Sequence, residues 1–140
     1  MSSINEQITS AYDDGNIFAK ILSGDIPNDT VYEDEDFLAF RDIAPAAPVH
    51  IGVIPKRSDL RSPRDLEEQA GVAGGLVSVA AQIARQEQLD AGYRLIMNCG
   101  ENAGQSVPHV HLHILGGGLS ARWVNIFWYL SEITMPARIC

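Results

Sequence analysis

Residues 108–118, PHVHLHILGGG, place three of the chain's four histidines within five residues. The three imidazoles alternate with Val110, Leu112 and Ile114. Because side chains alternate along a β-strand, this pattern predicts a strand with its apolar residues in the core and all three histidines on the opposite face. The glycines at 116–118 follow at once. The histidine face is therefore the candidate working face of the protein.

Length and composition indicate one compact domain. The chain has 140 residues, of which 46% are hydrophobic, which is enough for one core and too little for two ordinary ones. The two cysteines, Cys99 and Cys140, form no CxxC pair, and no secretory leader is apparent. We therefore expect no disulfide framework and no structural zinc cluster. We expect the protein to be cytoplasmic.

Charge and hydropathy argue against two classes of partner. The formal net charge is −8, whereas nucleic acid requires a basic face, so no nucleic-acid partner is expected. A small phosphate ligand remains possible, because backbone amides can hold it. The apolar run at 123–130 has eight residues, and a membrane-spanning helix needs about 20. No membrane partner is expected either.

The apolar pattern divides the chain into three parts: a loose, polar N-terminal tail at 1–15, a domain at 16–122 and an atypical C-terminal tail at 123–140. Within the domain, the pattern predicts a short helix at 17–22, a hairpin at 31–40, strands at 48–56 and 93–98, and the histidine strand. The strands occur in groups rather than alternating with helices. We therefore expect an α+β fold, with about five antiparallel strands, one long helix and one short helix.

The long helix is predicted to begin at Ser62 and Pro63, which suit an N-cap and a first helical position. Its expected buried stripe consists of Leu66, Ala70, Ala73, Val77, Ala80 and Ala84. Three glycines interrupt this helix, Gly71, Gly74 and Gly75, although glycine weakens helices. They indicate close packing, with a second copy of the chain as the expected partner.

Metal binding is one alternative for three clustered histidines. On a straight strand the Cα atoms of His109 and His113 lie about 13 Å apart, too far for all three rings to reach one ion at Zn–N distances near 2 Å. A metal site made of two of these rings together with His50 remains an open alternative, although no metal and no cofactor are expected. Ordinary core or surface histidines would not alternate so strictly. Acid–base or nucleophilic chemistry at neutral pH is favoured.

The sequence SVPHVHLHILGGG resembles the signature of the histidine triad (HIT) family. The resemblance continues through NIFAKILSGDIP, VYEDEDFLAFRDIAPAAPVHIGVIPK and GYRLIMNCGENAGQSVPHVHLHILGGG, and so covers about residues 16–118. The GQS loop before the histidines and the glycines after them look like the histidine triad nucleotide-binding (Hint) branch. They are less similar to the fragile histidine triad branch of dinucleoside polyphosphate hydrolases.

The resemblance implies a HIT-like fold, a homodimer and an enzyme without a cofactor. The reaction implied is hydrolysis of a purine nucleoside 5′-phosphoramidate, in which AMP is joined to an amine through a P–N bond. His111 would be the nucleophile, forming a nucleotidyl-histidine intermediate. His109 and His113 would flank it, with His113 bonding to the phosphoryl oxygens. His50 would orient the nucleophile from behind, and Ser106 would meet the leaving amine.

The resemblance also implies a purine nucleotide site. In it, Asp42 holds the ribose hydroxyls, Phe18, Ile26 and Ile43 form the base pocket, and Asn98 and Gln105 serve the phosphate and its loop, together with Ser106 and His113. Taken singly, most of these residues are typical of turns or of a core. The chain departs from the family after the glycines: Trp123 matches a family tryptophan, but the residues that follow do not.

Three alternative functions remain open from the sequence. The first is a dinucleoside polyphosphate hydrolase or nucleotidyl transferase on the same fold, the second an AMP-binding scaffold or sensor with little turnover, and the third a metal-dependent hydrolase. No lysine or arginine lies between Arg94 and Arg122. A polyphosphate leaving group needs positive charge nearby, whereas an amine needs a proton. The sequence therefore favours the amine.

Overall fold

The computed structural model describes residues 2–118. In chain order the elements are α1 Ile4–Thr9, α2 Ile17–Leu22, β1 Thr30–Glu33, β2 Phe37–Arg41, β3 Val49–Pro55, α3 Ala70–Gln86, β4 Tyr93–Ile96 and β5 Leu112–Gly116. Short 3₁₀ turns precede α3 and β5, at Pro63–Leu66 and Glu101–Ala103. The expected α+β architecture is confirmed, with one short helix more than predicted.

The five strands form one sheet in the order β1-β2-β3-β5-β4, and every neighbouring pair is antiparallel. The central pair is β3 with β5, in which Gly52 lies opposite His113 and His50 lies opposite Leu115. Glycine contributes no side chain opposite His113, and His50 is two residues away on the same face of β3. The register therefore brings two of the four histidines together from distant parts of the chain.

The two faces of the sheet carry different layers. On one face α3 packs over the main core, which includes Ile51, Val53, Leu76, Ile83, Leu112 and Ile114. On the other face α2 packs through Phe18, Ile21 and Leu22 against Leu38, Phe40 and Ile54. His50 and His113 alternate with Ile51, Leu112 and Ile114 along their strands, so they lie on the α2 face. The main core and the histidines are thus on opposite sides of the sheet.

The long helix differs from the prediction in its start and in its buried face. The Ser62 side chain accepts a hydrogen bond from the backbone N–H of Arg64 and caps a 3₁₀ turn, and α3 begins only at Ala70. Its buried residues are Leu76, Val79, Ala80, Ile83 and Ala84, whereas Val77 is 50% exposed. Ala80 and Ala84 of the predicted stripe are buried as expected, whereas Ala70 and Val77 are exposed. The larger side chains of Leu76, Val79 and Ile83 turn towards the sheet because they bury more apolar area.

The N-terminal segment is packed on the domain, although its polar composition suggests a loose tail. Ile8 in α1 is 2% exposed. The Asn5 side chain accepts a hydrogen bond from the backbone N–H of Glu101, and the Arg61 guanidinium donates to the carbonyl of Ser10. The buried isoleucine and the two polar contacts hold the N-terminal segment against the domain. The division of the chain at residues 16 and 122 stays a prediction.

The histidine strand is shorter than predicted. Because β5 begins at Leu112, only His113 of the three clustered histidines lies within the sheet. The segment before it is held by Val110, whose N–H donates to the carbonyl of Leu60 at 2.9 Å. Val110, Leu112 and Ile114 are buried as predicted. The histidines are buried as well, so they do not line an open face of the sheet.

No helix within residues 2–118 combines the length and the apolarity needed to cross a membrane. The predictions for the C-terminal tail at 123–140, including the match of Trp123 and the apolar run, lie outside the described residues.

The glycines of α3 offer a matched test of the packing. A β-carbon at Gly75 would lie 2.4 Å from Cζ of the buried Phe37, whereas one at Gly74 would meet nothing within 4 Å. We expect Gly75→Ala to lower the free energy of unfolding by about 1–3 kcal/mol, because Phe37 is confined by the core. Gly74→Ala should raise it by up to about 1 kcal/mol through helix propensity.

Urea unfolding at a protein concentration low enough to keep the chain monomeric measures both effects. Equal stability of the Gly75→Ala and Gly74→Ala variants would contradict the close contact between α3 and β2.

Candidate active site

Three of the histidines predicted to act together are adjacent in the structure. The ring centroids of His50 and His113 lie 5.0 Å apart, and those of His111 and His113 also lie 5.0 Å apart. The ring planes of His111 and His113 are nearly perpendicular. Phe18, from α2, packs edge-to-face on His111 with a centroid distance of 4.9 Å. The ring centroids of Phe18 and His109 lie 6.2 Å apart. The site therefore lies between β3, β5 and α2.

The backbone decides the proton positions of His50 and His113. The N–H of Ala46 donates to Nδ1 of His50 at 3.0 Å, so the proton of the neutral ring lies on Nε2. Nε2 of His50 lies 2.9 Å from Nδ1 of His113 and donates to it. His113 therefore carries its own proton on Nε2. Burial lowers the pKa of His50, and the Asp42 carboxylate opposes that shift.

His111 has the opposite arrangement. Its Nδ1 lies 2.6 Å from the carbonyl oxygen of His109. Because a carbonyl can only accept, Nδ1 carries the proton and Nε2 is the basic nitrogen. A neutral imidazole in this tautomer has a nucleophilic lone pair on Nε2. The ring is 2% exposed, and Phe18 and His113 restrict its rotation.

His109 has both ring nitrogens bonded within the protein. Its Nε2 lies 3.0 Å from the carbonyl oxygen of Pro55 and donates to it, so Nδ1 accepts from the Tyr12 hydroxyl at 2.5 Å. The residue is 0% exposed. Burial is the largest cause that lowers the pKa of His109 to about 4, and the neighbouring His111 adds to the effect. His109 is therefore neutral near pH 7 and suited to holding its neighbours in place.

Asp42 lies at the edge of the histidine cluster. It follows β2, and its backbone N–H donates to the carbonyl of His50 at 2.9 Å. One carboxylate oxygen accepts from the backbone N–H of Ala44 at 2.8 Å, and the other lies 3.5 Å from Nε2 of His50. The side chain is 17% exposed. This carboxylate is fixed, accessible and close to the paired histidines.

The sequence left open a metal site made of His50 and two of the clustered histidines; within residues 2–118 the structure groups His50 and His113 with Asp42 instead. Ligand atoms of Asp42, His50 and His113 lie within 4.8 Å of one another. A histidine that binds a metal normally donates its other ring N–H to an acceptor. Nδ1 of His50 instead accepts from an N–H, so Nε2 must hold a proton and has no lone pair for an ion. The residues do not fit a zinc ion, and the chemistry proposed below uses none.

Of the three predicted base-pocket residues, Phe18 packs on the histidine cluster, and Ile43 is next to Asp42 in the chain. Phe18 is half-buried against His111, and Ile26 is half-buried just after α2. Ile43, next to Asp42, is 96% exposed. Its exposed side chain, next to a fixed carboxylate, offers apolar surface to a nucleotide base. Asn98 lies two residues beyond Ile96, which pairs with His113 in the sheet. Their contacts with a nucleotide stay a prediction.

Gln105 and Ser106 occupy the loop that leads into the histidines. The Gln105 side chain is buried, accepts from the N–H of Gly100 and donates to the carbonyls of Arg61 and Val107. Its position supports the expected role in the loop, and a direct phosphate contact stays a prediction. Ser106 is exposed, as contact with a leaving group requires.

Sequence reasoning missed two residues of the site. Tyr12 binds His109, and Asn16 donates to the Tyr12 hydroxyl at 3.0 Å. Both lie at the N-terminal side of the domain, and Tyr12 is 97 positions from its partner. The spacing of four between Tyr12 and Asn16 was visible in the sequence, but no periodic pattern connects them to the histidines.

The sequence profile of the HIT domain matches residues 23–118. The chain is 47% identical over 103 residues to a purine nucleoside phosphoramidase of Escherichia coli strain K12, covering 72% of this chain and 86% of that protein. It is 48% identical over 120 residues to a 14 kDa zinc-binding protein of Zea mays, covering 84% and 94%.

Solved structures give the same picture. A histidine triad protein from Clostridium difficile superposes with a TM-score of 0.70 at 42% identity, covering 74% of this chain and 91% of that one. A HIT family hydrolase from Clostridium thermocellum has a TM-score of 0.72 at 39% identity, covering 76% and 93%.

The burial of His109 predicts a pH-dependent stability. Its pKa is about 4 in the folded chain and near 6.5 when unfolded. Between these values the unfolded chain binds the extra proton, so the free energy of unfolding falls as the pH falls. We expect His109 to account for a loss of about 2 kcal/mol between pH 7 and pH 5.

His109→Gln is the control, because glutamine can still donate to Pro55 but cannot titrate. Urea unfolding at both pH values should show a smaller loss for this variant, while His50 contributes equally to both proteins. Identical pH slopes for wild type and variant would show that His109 does not titrate as its burial requires.

Proposed function

Because this chain belongs to the HIT domain family, we propose that it hydrolyses the P–N bond of a purine nucleoside 5′-phosphoramidate. One observation carries the proposal: two adjacent buried imidazoles have complementary proton positions. His111 has a basic Nε2, and His113 has a protonated Nε2. A nucleophile thus lies beside a hydrogen-bond donor. The name of the Escherichia coli relative supports this substrate class.

In the first step, Nε2 of His111 attacks phosphorus and the P–N bond breaks. The amine nitrogen takes the electron pair of that bond and a proton from solvent, relayed by the Ser106 hydroxyl, and leaves as a neutral amine. The nucleotidyl group is now bonded to Nε2, and the ring carries a positive charge because Nδ1 keeps its proton. The carbonyl of His109 accepts from that N–H and stabilises the cation.

In the second step, water attacks phosphorus and the bond to Nε2 breaks. His111 regains its lone pair, and the water proton is released as AMP leaves. The net reaction adds one water to the phosphoramidate and yields AMP and the amine. In both steps charge grows on the phosphoryl oxygens, and His113 donates its Nε2 proton towards them. His50 holds that proton in place by donating to Nδ1.

The leaving group decides between the substrate classes. An amine departs poorly unless it is protonated, and the exposed Ser106 is a hydroxyl able to relay a proton. A polyphosphate would instead need cations, and the sequence from 95 to 121 contains no lysine or arginine. Phosphoramidates are therefore favoured over dinucleoside polyphosphates.

The nucleotide is proposed to lie along the α2 face. Asp42 offers a carboxylate for the ribose hydroxyls, and Phe18 and Ile43 offer apolar surface for the base. Adenine and guanine would be bound alike by such apolar contacts. The homodimer and the cytoplasmic location stay predictions. A dimer would cover the exposed side of α3, where Gly71, Gly74 and the 50% exposed Val77 lie.

The substrate class is tested by measuring kcat/KM for an AMP-amine phosphoramidate and for a diadenosine polyphosphate. We expect the phosphoramidate to be much the better substrate, and a metal chelator to leave its turnover unchanged. A preference for the polyphosphate would overturn the P–N assignment while leaving the nucleophile in place. Tight AMP binding without turnover would instead support the scaffold alternative.

His111→Ala tests the nucleophile. The substitution removes the attacking nitrogen but leaves Val110 and Leu112 to pack in the core. We expect kcat to fall by roughly three orders of magnitude or more, while AMP binding, measured by calorimetry, persists. His111→Gln, which keeps more of the volume, controls for a packing defect. Near-normal turnover by either variant would remove His111 from this role.

A further inference from the structure

Tyr12 joins the N-terminal segment to the histidine cluster. It lies between α1 and α2, and its hydroxyl lies 2.5 Å from Nδ1 of His109. The rings meet edge-to-face at a centroid distance of 5.7 Å. Tyr12 lies ahead of residues 23–118, the part that the HIT domain profile matches. Its contact therefore joins a residue outside that profile to the histidine cluster.

We propose that Tyr12 is a positioning residue of the active site, which acts through His109 to hold His111 in its nucleophilic orientation. The inference rests on the proposed function, in which Nε2 of His111 attacks phosphorus. Tyr12 itself touches no reacting atom.

The first link is the tautomer of His109. The carbonyl of Pro55 accepts from Nε2, so Nδ1 has a lone pair and needs a donor. The Tyr12 hydroxyl supplies that donor. Burial raises the pKa of Tyr12, with the carboxylates of Asp13, Asp14 and Asp59 acting in the same direction. The phenol therefore keeps the proton that it donates.

The second link runs from His109 to His111 along the main chain. The ring of His109 is held at both nitrogens, by Tyr12 and Pro55, and its own carbonyl accepts from Nδ1 of His111 at 2.6 Å. A fixed ring limits the rotation of the residue that bears this carbonyl. Because the carbonyl sets the tautomer and direction of His111, loosening the ring of His109 displaces the nucleophile.

The third link fixes the Tyr12 hydroxyl itself. Asn16 caps α2 by accepting from the N–H of Ala19 at 2.9 Å, and its side-chain amide donates to the oxygen of the Tyr12 hydroxyl at 3.0 Å. Because that oxygen accepts from Asn16, the hydroxyl proton is directed to Nδ1 of His109.

Tyr12→Phe removes this hydroxyl and little else. Nδ1 of the buried His109 then loses its donor. An unpaired buried nitrogen is costly, which favours a change of tautomer or the entry of a water molecule in place of the hydroxyl. We expect kcat for the phosphoramidate to fall roughly tenfold or more, with a smaller change in KM, because small displacements of a nucleophile cost rate. Tyr32→Phe is the matched control, since it removes from a β1 residue a hydroxyl that donates to Asp34, away from the histidines.

A double-mutant cycle distinguishes positioning from general stabilisation. His109→Leu removes the ring nitrogen that accepts from the Tyr12 hydroxyl. If Tyr12 acts through His109, adding Tyr12→Phe to His109→Leu should lower kcat no further. Additive losses, or a wild-type kcat for Tyr12→Phe, would overturn the proposal. Thermal unfolding of each variant confirms that the kinetics are measured on folded protein.

Long-range ¹H–¹⁵N spectra of the histidine rings give a readout that does not depend on turnover. In the wild type, His109 should be protonated on Nε2 and His111 on Nδ1. Tyr12→Phe should change the ring signals of both, and Tyr32→Phe of neither. An unchanged His111 signal in Tyr12→Phe would overturn the positioning role. If the wild type shows no phosphoramidate hydrolysis, the proposed function fails, and these spectra still decide whether Tyr12 controls the two rings.

Discussion

Four buried imidazole rings impose the main constraint on this structure, because a buried polar atom without a partner costs about 1–3 kcal/mol. Much of the pairing comes from backbone groups whose hydrogen-bond direction cannot change. The N–H of Ala46 can only donate, and the carbonyls of Pro55 and His109 can only accept. The main chain therefore decides where the ring protons lie. The nucleophilic tautomer of His111 is a consequence of backbone geometry.

The two faces of the sheet separate stability from chemistry. The large apolar core lies between α3 and one face of the sheet, so most of the hydrophobic packing is on the side away from the histidines. On that face the antiparallel register of β3 and β5 places Gly52 opposite His113, and the missing side chain leaves room for His50 to reach the ring. Within residues 2–118, α2 covers this side with apolar residues through a small cluster that includes Phe18.

Arg61 connects the parts of the structure that surround the site. Its guanidinium bonds to the carbonyl of Ser10 and to Asp65, and its own carbonyl accepts from Gln105. The N-terminal segment with Tyr12 and the loop with Ser106 are thus held by the same residue. Charge-assisted bonds of this kind are stronger than neutral ones. The N-terminal segment and the loop at Gln105 are consequently coupled through one residue.

The sequence alone was sufficient for the α+β class, the apolar alternation of Val110, Leu112 and Ile114, and the cluster of histidines, because strand periodicity and residue spacing are local properties. Only the tertiary structure decided which face of α3 is buried, that α1 packs on the domain, and that Tyr12 bonds His109. The buried face depends on the competition between side chains for the sheet, and the contact of Tyr12 joins positions 97 residues apart. The ring protons were likewise beyond the sequence, since each is set by a backbone group that the fold brings to it.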